Sequence, residues 1–161
     1  MRKLDPFAIR PAKPEDAGDL STIENQIFSG DRISLRSFRR LLAQTSAVVL
    51  VAAVGNRIAG YAMALFRRNS SIARLYSIAV DPGHARHGLG KALLKAAEDA
   101  ARHRNCVVMR LEVREDNAAA IRLYGASGYL PAGRVADYYE DGCAALRFEK
   151  PLTTSNREIR S

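Results

Sequence analysis

Tryptophan is absent from this chain of 161 residues, which also has only two cysteines and three histidines. Cys106 and Cys143 form no CxxC pair and have no histidine at metal-ligand spacing, and His84, His87 and His103 make no zinc pattern. The expectation is no metal and no disulfide, with both cysteines serving as small buried hydrophobes. Long apolar runs are missing too. The longest, Ala47 to Val54, falls far short of the roughly 20 residues that span a bilayer. The opening MRKLDPFAIRP lacks the apolar core of a signal peptide, so a soluble, cytoplasmic chain without membrane contact is expected. Acid is also in short supply. Seventeen Asp and Glu face 25 Lys and Arg, a net charge of +8 that asks for an anionic partner. No aromatic-and-basic RNA motif or helix-turn-helix pattern accompanies the charge, so nucleic acid is not the expected partner.

The 47% of hydrophobic residues supports one compact domain, expected over residues 1–152, with a polar, disordered tail from 153 to 161. Phe7 to Ala12 reads as an opening strand. Pro14-Glu15-Asp16 starts a helix, with proline in its first turn and acids against the dipole. Ser34 is placed to cap a second helix that turns Leu35, Phe38, Leu41 and Leu42 inward and Arg36, Arg39 and Arg40 outward. Val48 to Val54 and Ile58 to Arg67 form a hairpin around Gly55-Asn56, followed by a strand from Ala73 to Val80. A helix after Gly88 carries Leu89, Leu93, Leu94, Ala97 and Ala101 on one side. Then come a strand Val107 to Val113 and a helix Ala118 to Ser127, capped by Asn117 and ended by Gly128. Two closing strands, near Tyr129 to Tyr138 and Ala144 to Lys150, flank the acidic turn Glu140-Asp141-Gly142. This order predicts an α/β fold, a mixed sheet of about seven strands flanked by about four helices.

Two stretches carry chemistry. In the first, a strand ends at Ile78-Ala79-Val80 and a turn with Gly83, Gly88 and Gly90 leads into a helix. Free amides and the positive end of the helix dipole converge there, with Arg86, His87 and Lys91 adding charge, which suits a phosphate. The spacing is neither a P-loop, since Ala92 follows Lys91, nor a dinucleotide fingerprint. The glycines also serve to shape the turn. In the second stretch, Leu111 to Tyr124, Glu112 and Arg114 share one strand face, while Asn117, Ile121 and Tyr124 share one helix side. Carboxylate, amide and phenol can then face one cleft. The plainer alternatives are an edge charge, a helix cap and a core aromatic.

The block Ala85-Arg86-His87-Gly88-Leu89-Gly90-Lys91 resembles the acetyl-CoA-binding motif of the GCN5-related N-acetyltransferase (GNAT) superfamily, Gln/Arg-x-x-Gly-x-Gly/Ala, with Ala85 where Gln or Arg is usual. The second stretch is similar to that of ribosomal-protein-alanine N-acetyltransferases, and the resemblance spans about residues 7 to 150. It implies the fold just described and acetyl-CoA as donor. It further implies that the residues from Ile78 to Val80 and Ala85 to Lys91 bind the cofactor, that Asn117 contacts the pantetheine arm, and that Glu112 is the general base and Tyr124 the general acid. An N–H near Val80 would polarise the thioester carbonyl. Tyr138 and Tyr139 resemble the paired tyrosines of the peptide groove. Phe28 heads the segment that builds the acceptor side, although Phe28 to Leu42 lacks the usual aromatic, proline-containing sequence.

The chemistry fits these residues. An α-amine, with a pKa of about 7.7 to 8.0, must lose a proton before attacking a thioester, and a phenol can protonate the leaving thiolate. The resemblance thus implies an N-acetyltransferase acting, as monomer or dimer, on a protein or peptide amine, foremost an N-terminal α-amine. The alternatives are a small-molecule amine as acceptor and a non-catalytic acyl-CoA-binding module.

Overall fold

The computed structural model describes residues 6–152; the expected tail from 153 to 161 lies outside the described residues. Seven strands and four helices follow one another as β1 (Ala8–Pro11), α1 (Ala17–Ile27), α2 (Leu35–Ala43), β2 (Ala47–Val54), β3 (Arg57–Phe66), β4 (Ile72–Val80), α3 (Leu89–His103), β5 (Val108–Arg114), α4 (Ala118–Ala126), β6 (Leu130–Val135) and β7 (Ala145–Pro151). The expected fold class is the one observed.

The local signals act as expected. The Ser34 hydroxyl accepts from the Ser37 amide and starts α2, and Asn117 Oδ1 accepts from the Ala120 amide and starts α4. Gly55, in the β2–β3 turn, and Gly128, just past the end of α4, take positive φ values of 60° and 93°.

One sheet runs in the order β1-β2-β3-β4-β5-β7-β6. Every pairing is antiparallel except β4 with β5, which α3 connects as a crossover. The closing hairpin inserts β7 beside β5 and leaves β6 at the edge. The strand expected from Tyr129 to Tyr138 is shorter than anticipated. Its ladder is already irregular at Pro131/Gly133, and Asp137 takes a positive φ of 54° that extended pairing does not accommodate, so Tyr138 and Tyr139 sit in the following loop.

Two hydrophobic layers cover the two faces. On one, Leu89, Leu93, Leu94, Ala97 and Ala101 of α3 and Tyr124 of α4 pack on Leu75, Met109, Leu111 and Val113. On the other, Leu20 and Ile23 of α1 and Phe38 and Leu41 of α2 pack on Val49, Val51, Tyr61 and Met63. Each fully buried leucine contributes about 1.5–3 kcal/mol of transfer free energy. Cys106 is buried, Cys143 half-buried, and both are free. Among the described residues no helix is long and apolar enough to cross a membrane, and no three His, Cys, Asp or Glu side chains converge as a metal site.

Candidate active site

The site begins with an interruption in β4. Ala64 of β3 opposes Leu75, but the next residue of β3, Met63, opposes Ser77, so Tyr76 has no partner in the ladder. An extra residue on one strand bends it and reverses its face alternation. Before the bulge, Ala73 and Leu75 face α3; after it, Ile78 and Val80 pack on that layer, while Ala79 enters the layer of α1 and α2. β5 keeps its regular alternation. The parallel pairing of β4 with β5 accordingly ends at Leu75 with Leu111, and the two strands part beyond it.

Both lips of this opening carry backbone groups turned inward. The Asp81 amide donates to the Ala59 carbonyl at 2.7 Å. By the alternation of an antiparallel ladder, Ile78 and Val80 then aim N–H and C=O away from β3, into the opening. Ala79 spends its backbone groups on β3. On the other lip, the Glu115 amide donates to Ala144, which by the same rule turns the backbone of Glu112 away from β7.

At one end of the opening stands the N-terminus of α3. Gly88 is its N-cap at φ 76°, ψ 12°, a left-handed conformation that glycine adopts without strain. The amides of Leu89, Gly90 and Lys91 have no acceptor within the helix, whose first bond runs from Ala92 to the Gly88 carbonyl. Gly90 lies against Val80 and Leu123, and the Lys91 side chain is exposed. Ala85, Arg86 and His87 lie in the short 3-10 turn Pro82–His87 leading to this cap. Inward amides along one strand and a free helix N-terminus beyond it match an extended amide-bearing arm ending in phosphates.

Glu112 and Tyr124 approach the opening from opposite faces of the sheet. The period of two on β5 sends Leu111 and Val113 toward α3 and α4 and Glu112 the other way. Carboxylate and phenol thus come from different faces of the sheet, and the parting of β4 and β5 gives both access to the same space. The Glu112 side chain is 6% exposed and clamped by two guanidiniums, Arg74 Nε at 3.1 Å and Arg147 Nε at 2.9 Å. Each oxygen keeps a further lone pair. Tyr124 is 5% exposed, its ring edge-on to Tyr129 at 5.8 Å. Burial first, and then the nearby Tyr139, hold its phenol above the ordinary value of 10. Tyr139 is itself pushed up to about 12, chiefly by burial, with Tyr138 next among its causes and Glu112 a lesser one. It therefore lies within electrostatic reach of both Glu112 and Tyr124.

Two loops meet over the α1 and α2 face. Tyr138 accepts from Arg74 Nη2 at 2.9 Å, and its ring stands against Tyr139 at 4.9 Å. The Glu140 amide donates to Asp31 of the α1–α2 connection. Phe28 ends α1 and packs into the layer of α1 and α2 at the start of that connection. Asn117 is exposed, with its oxygen committed to the cap of α4.

Sequence reasoning passed over Arg74, Arg147 and the bulge at Tyr76. The bulge had a signal: the apolar phase moves from Ala73 and Leu75 to Ile78 and Val80. The arginine clamp had none, because it joins three strands distant in sequence.

The acetyltransferase (GNAT) family model matches residues 18–129. The chain belongs to the GNAT acetyltransferase family. Acetyl-CoA-dependent acyl transfer is the chemistry of that family, and the opening between β4 and β5 suits the donor. The [ribosomal protein bS18]-alanine N-acetyltransferase of Escherichia coli (strain K12) is 46% identical over 67 residues. That match covers 42% of this chain and 45% of the relative, so the aligned part spans less than half of its length. The N-alpha-acetyltransferase RimI of Mycobacterium tuberculosis is 33% identical over 138 residues, covering 84% of this chain and 85% of the relative. The crystal structure of the ribosomal-protein-S18-alanine N-acetyltransferase from Escherichia coli superposes with a TM-score of 0.82 at 28% identity, over 92% of this chain and 96% of that one.

Proposed function

We propose that this GNAT protein transfers the acetyl group of acetyl-CoA to an amine of a protein or peptide, foremost a free N-terminal α-amine. The observation that carries the proposal is the opening at the Tyr76 bulge, with Glu112 on one face and Tyr124 on the other. The names of the Escherichia coli and Mycobacterium tuberculosis relatives, a ribosomal-protein-alanine N-acetyltransferase and an N-alpha-acetyltransferase, support the acceptor class.

Acetyl-CoA supplies the activated acyl group. In this reading the inward amides of Ile78 and Val80 hold the arm of the donor, and the Val80 amide polarises the thioester carbonyl. The segment Ala85 to Lys91, through the free amides of α3, binds the pyrophosphate. Asn117 adds a polar contact from the cap of α4. The acceptor enters from the other face, between Phe28 and the pair Tyr138 and Tyr139. Glu112 takes the ammonium proton on a lone pair the arginines leave free, directly or through a water. The amine attacks the carbonyl, the carbon–sulfur bond breaks, Tyr124 gives its proton to the departing sulfur, and the second proton that the nitrogen sheds on becoming an amide restores the phenol. No covalent enzyme intermediate is needed.

The test mixes purified protein with acetyl-CoA and paired peptides, free or blocked at the N-terminus and beginning with alanine, serine, glycine or methionine, plus a lysine-only control. CoA release confined to free N-termini supports the proposal. Release only with small amines, or none while acetyl-CoA still binds, overturns it.

A further inference from the structure

Part of the basic excess gathers in one place. A pocket of about 530 Å³ opens on the α2 side of the sheet, where Arg40, Gln44, Arg67, Arg74, Tyr76 and Arg110 are among the residues lining it. Four arginines and no carboxylate line this pocket. Their states differ. Arg74 is engaged by Glu112, and Arg110 by Glu149 at 2.6 Å. Arg40 and Arg67 are exposed and make no ion pair among the described residues. Two planar, permanently charged forks thus line a recess with no acid among the described residues paired to them, an arrangement suited to carboxylates.

The pocket is continuous with the acceptor face. Arg74 lines it and also holds Glu112 and Tyr138, and the bulged Tyr76 lies in its wall under the Arg74 guanidinium, 5.5 Å from the ring centroid. A peptide whose first residue reaches Glu112 advances about 3.3–3.6 Å per extended residue, so a path past Arg74 would bring the residues that follow to Arg40 and Arg67. A recess of side-chain dimensions favours one or two carboxylate side chains over the evenly spaced phosphates of a nucleic-acid backbone.

We infer that this arginine-lined pocket is a specificity subsite for acidic side chains that follow the N-terminal residue of the acceptor. The inference rests on the peptide-acceptor reading and names its substrate class: N-termini carrying Asp or Glu shortly after the first residue.

The experiment compares alanine-first peptides bearing Asp and Glu, or Gln, at the following positions. It uses the unaltered chain, the double variant Arg40→Gln/Arg67→Gln and the single variant Arg67→Glu. CoA release gives kcat/KM, and calorimetry with CoA present gives peptide Kd. At low salt the acidic peptide is expected to be favoured about tenfold, and the preference to shrink as salt rises. In the double variant it falls to within about twofold, with kcat on the Gln peptide unchanged, and Arg67→Glu weakens the acidic peptide further. Equal kcat/KM and Kd for both peptides in the unaltered chain, or an undiminished preference in the double variant, overturns the inference. An RNA oligonucleotide that outcompetes the acidic peptide, and loses its grip in the double variant, also overturns it. If no peptide is acetylated, the acceptor reading fails by itself, and the two Kd values still decide whether the pocket binds acidic chains.

Discussion

Replacing Tyr124 with phenylalanine removes one oxygen and leaves almost all of the packing in place. The residue is 5% exposed, and its ring meets Tyr129 edge-on at 5.8 Å, a contact that phenylalanine keeps. Its hydroxyl makes no hydrogen bond among the described residues, so its loss leaves no partner stranded, and stability should change by less than about 0.5 kcal/mol. Turnover should respond differently. A positioned general acid contributes about 10²- to 10⁴-fold, or about 2.7 to 5.4 kcal/mol of barrier. Burial holds this phenol above its ordinary value of 10, so it remains protonated at any working pH and no alkaline fall below about pH 10 originates from it. The assay is kcat and KM for acetyl-CoA with a saturating peptide, beside a thermal melt. The expected outcome is a large loss of kcat with unchanged melting temperature and unchanged acetyl-CoA affinity. Full turnover in Tyr124→Phe refutes the acid role; parallel losses of affinity and turnover would instead make Tyr124 part of the wall of the donor site.

Gly88→Ala meets no atom within 4 Å and is penalised only by φ 76°, about 1–2 kcal/mol; because Gly88 orients the first amides of α3, acetyl-CoA affinity should drop with stability. Gly88→Asn should lose less of both, since asparagine tolerates that backbone, and equal melts for the two variants would contradict the argument. Asp16 is held below its ordinary value chiefly by the Arg10 guanidinium, at 2.8 Å, with its burial opposing and the Lys13 amide assisting. A lowered folded value means stability present above the unfolded value near 3.8 and lost as pH falls through the folded one. Asp16→Asn should therefore cost about 1–3 kcal/mol in urea titrations at pH 7, a gap that narrows as pH falls through the folded value, and a gap independent of pH would exclude this ion pair as its source. Glu24 has the opposite sign. Burial beside Tyr61 raises it above 4.5, so its contribution is complete below that value and declines as pH rises through the folded one. Relative to Glu24→Gln, the unaltered chain should gain stability between pH 7 and pH 4, and a flat difference would remove Glu24 as the titrating group.

The readable part of the site is the part that depends on neighbours in sequence. Ser34 and Asn117 announce the starts of α2 and α4 because a capping side chain bonds an amide three positions on. Gly88 marks the turn into α3 because only a residue free of Cβ takes that backbone without cost. The alternation along β5 already separates Glu112 from Leu111 and Val113. That the phenol approaches from the other face was not legible, because face assignments within a strand and within a helix say nothing of how strand and helix pack together.

By itself, then, the order of residues determined the elements, their caps, the buried side of each helix and the amide-rich turn before α3, all set by interactions within a few positions. Tertiary structure decided the rest. Inserting β7 between β5 and β6 brings Arg147 beside Glu112, while the parallel crossover brings Arg74 from β4 to its other oxygen. The bulge at Tyr76 turns local bending into a parting of two strands, and only that parting lets groups from opposite faces share one space. Such pairings are chosen by the burial of whole faces and the closing of backbone hydrogen bonds across the sheet, and these quantities belong to the assembled chain.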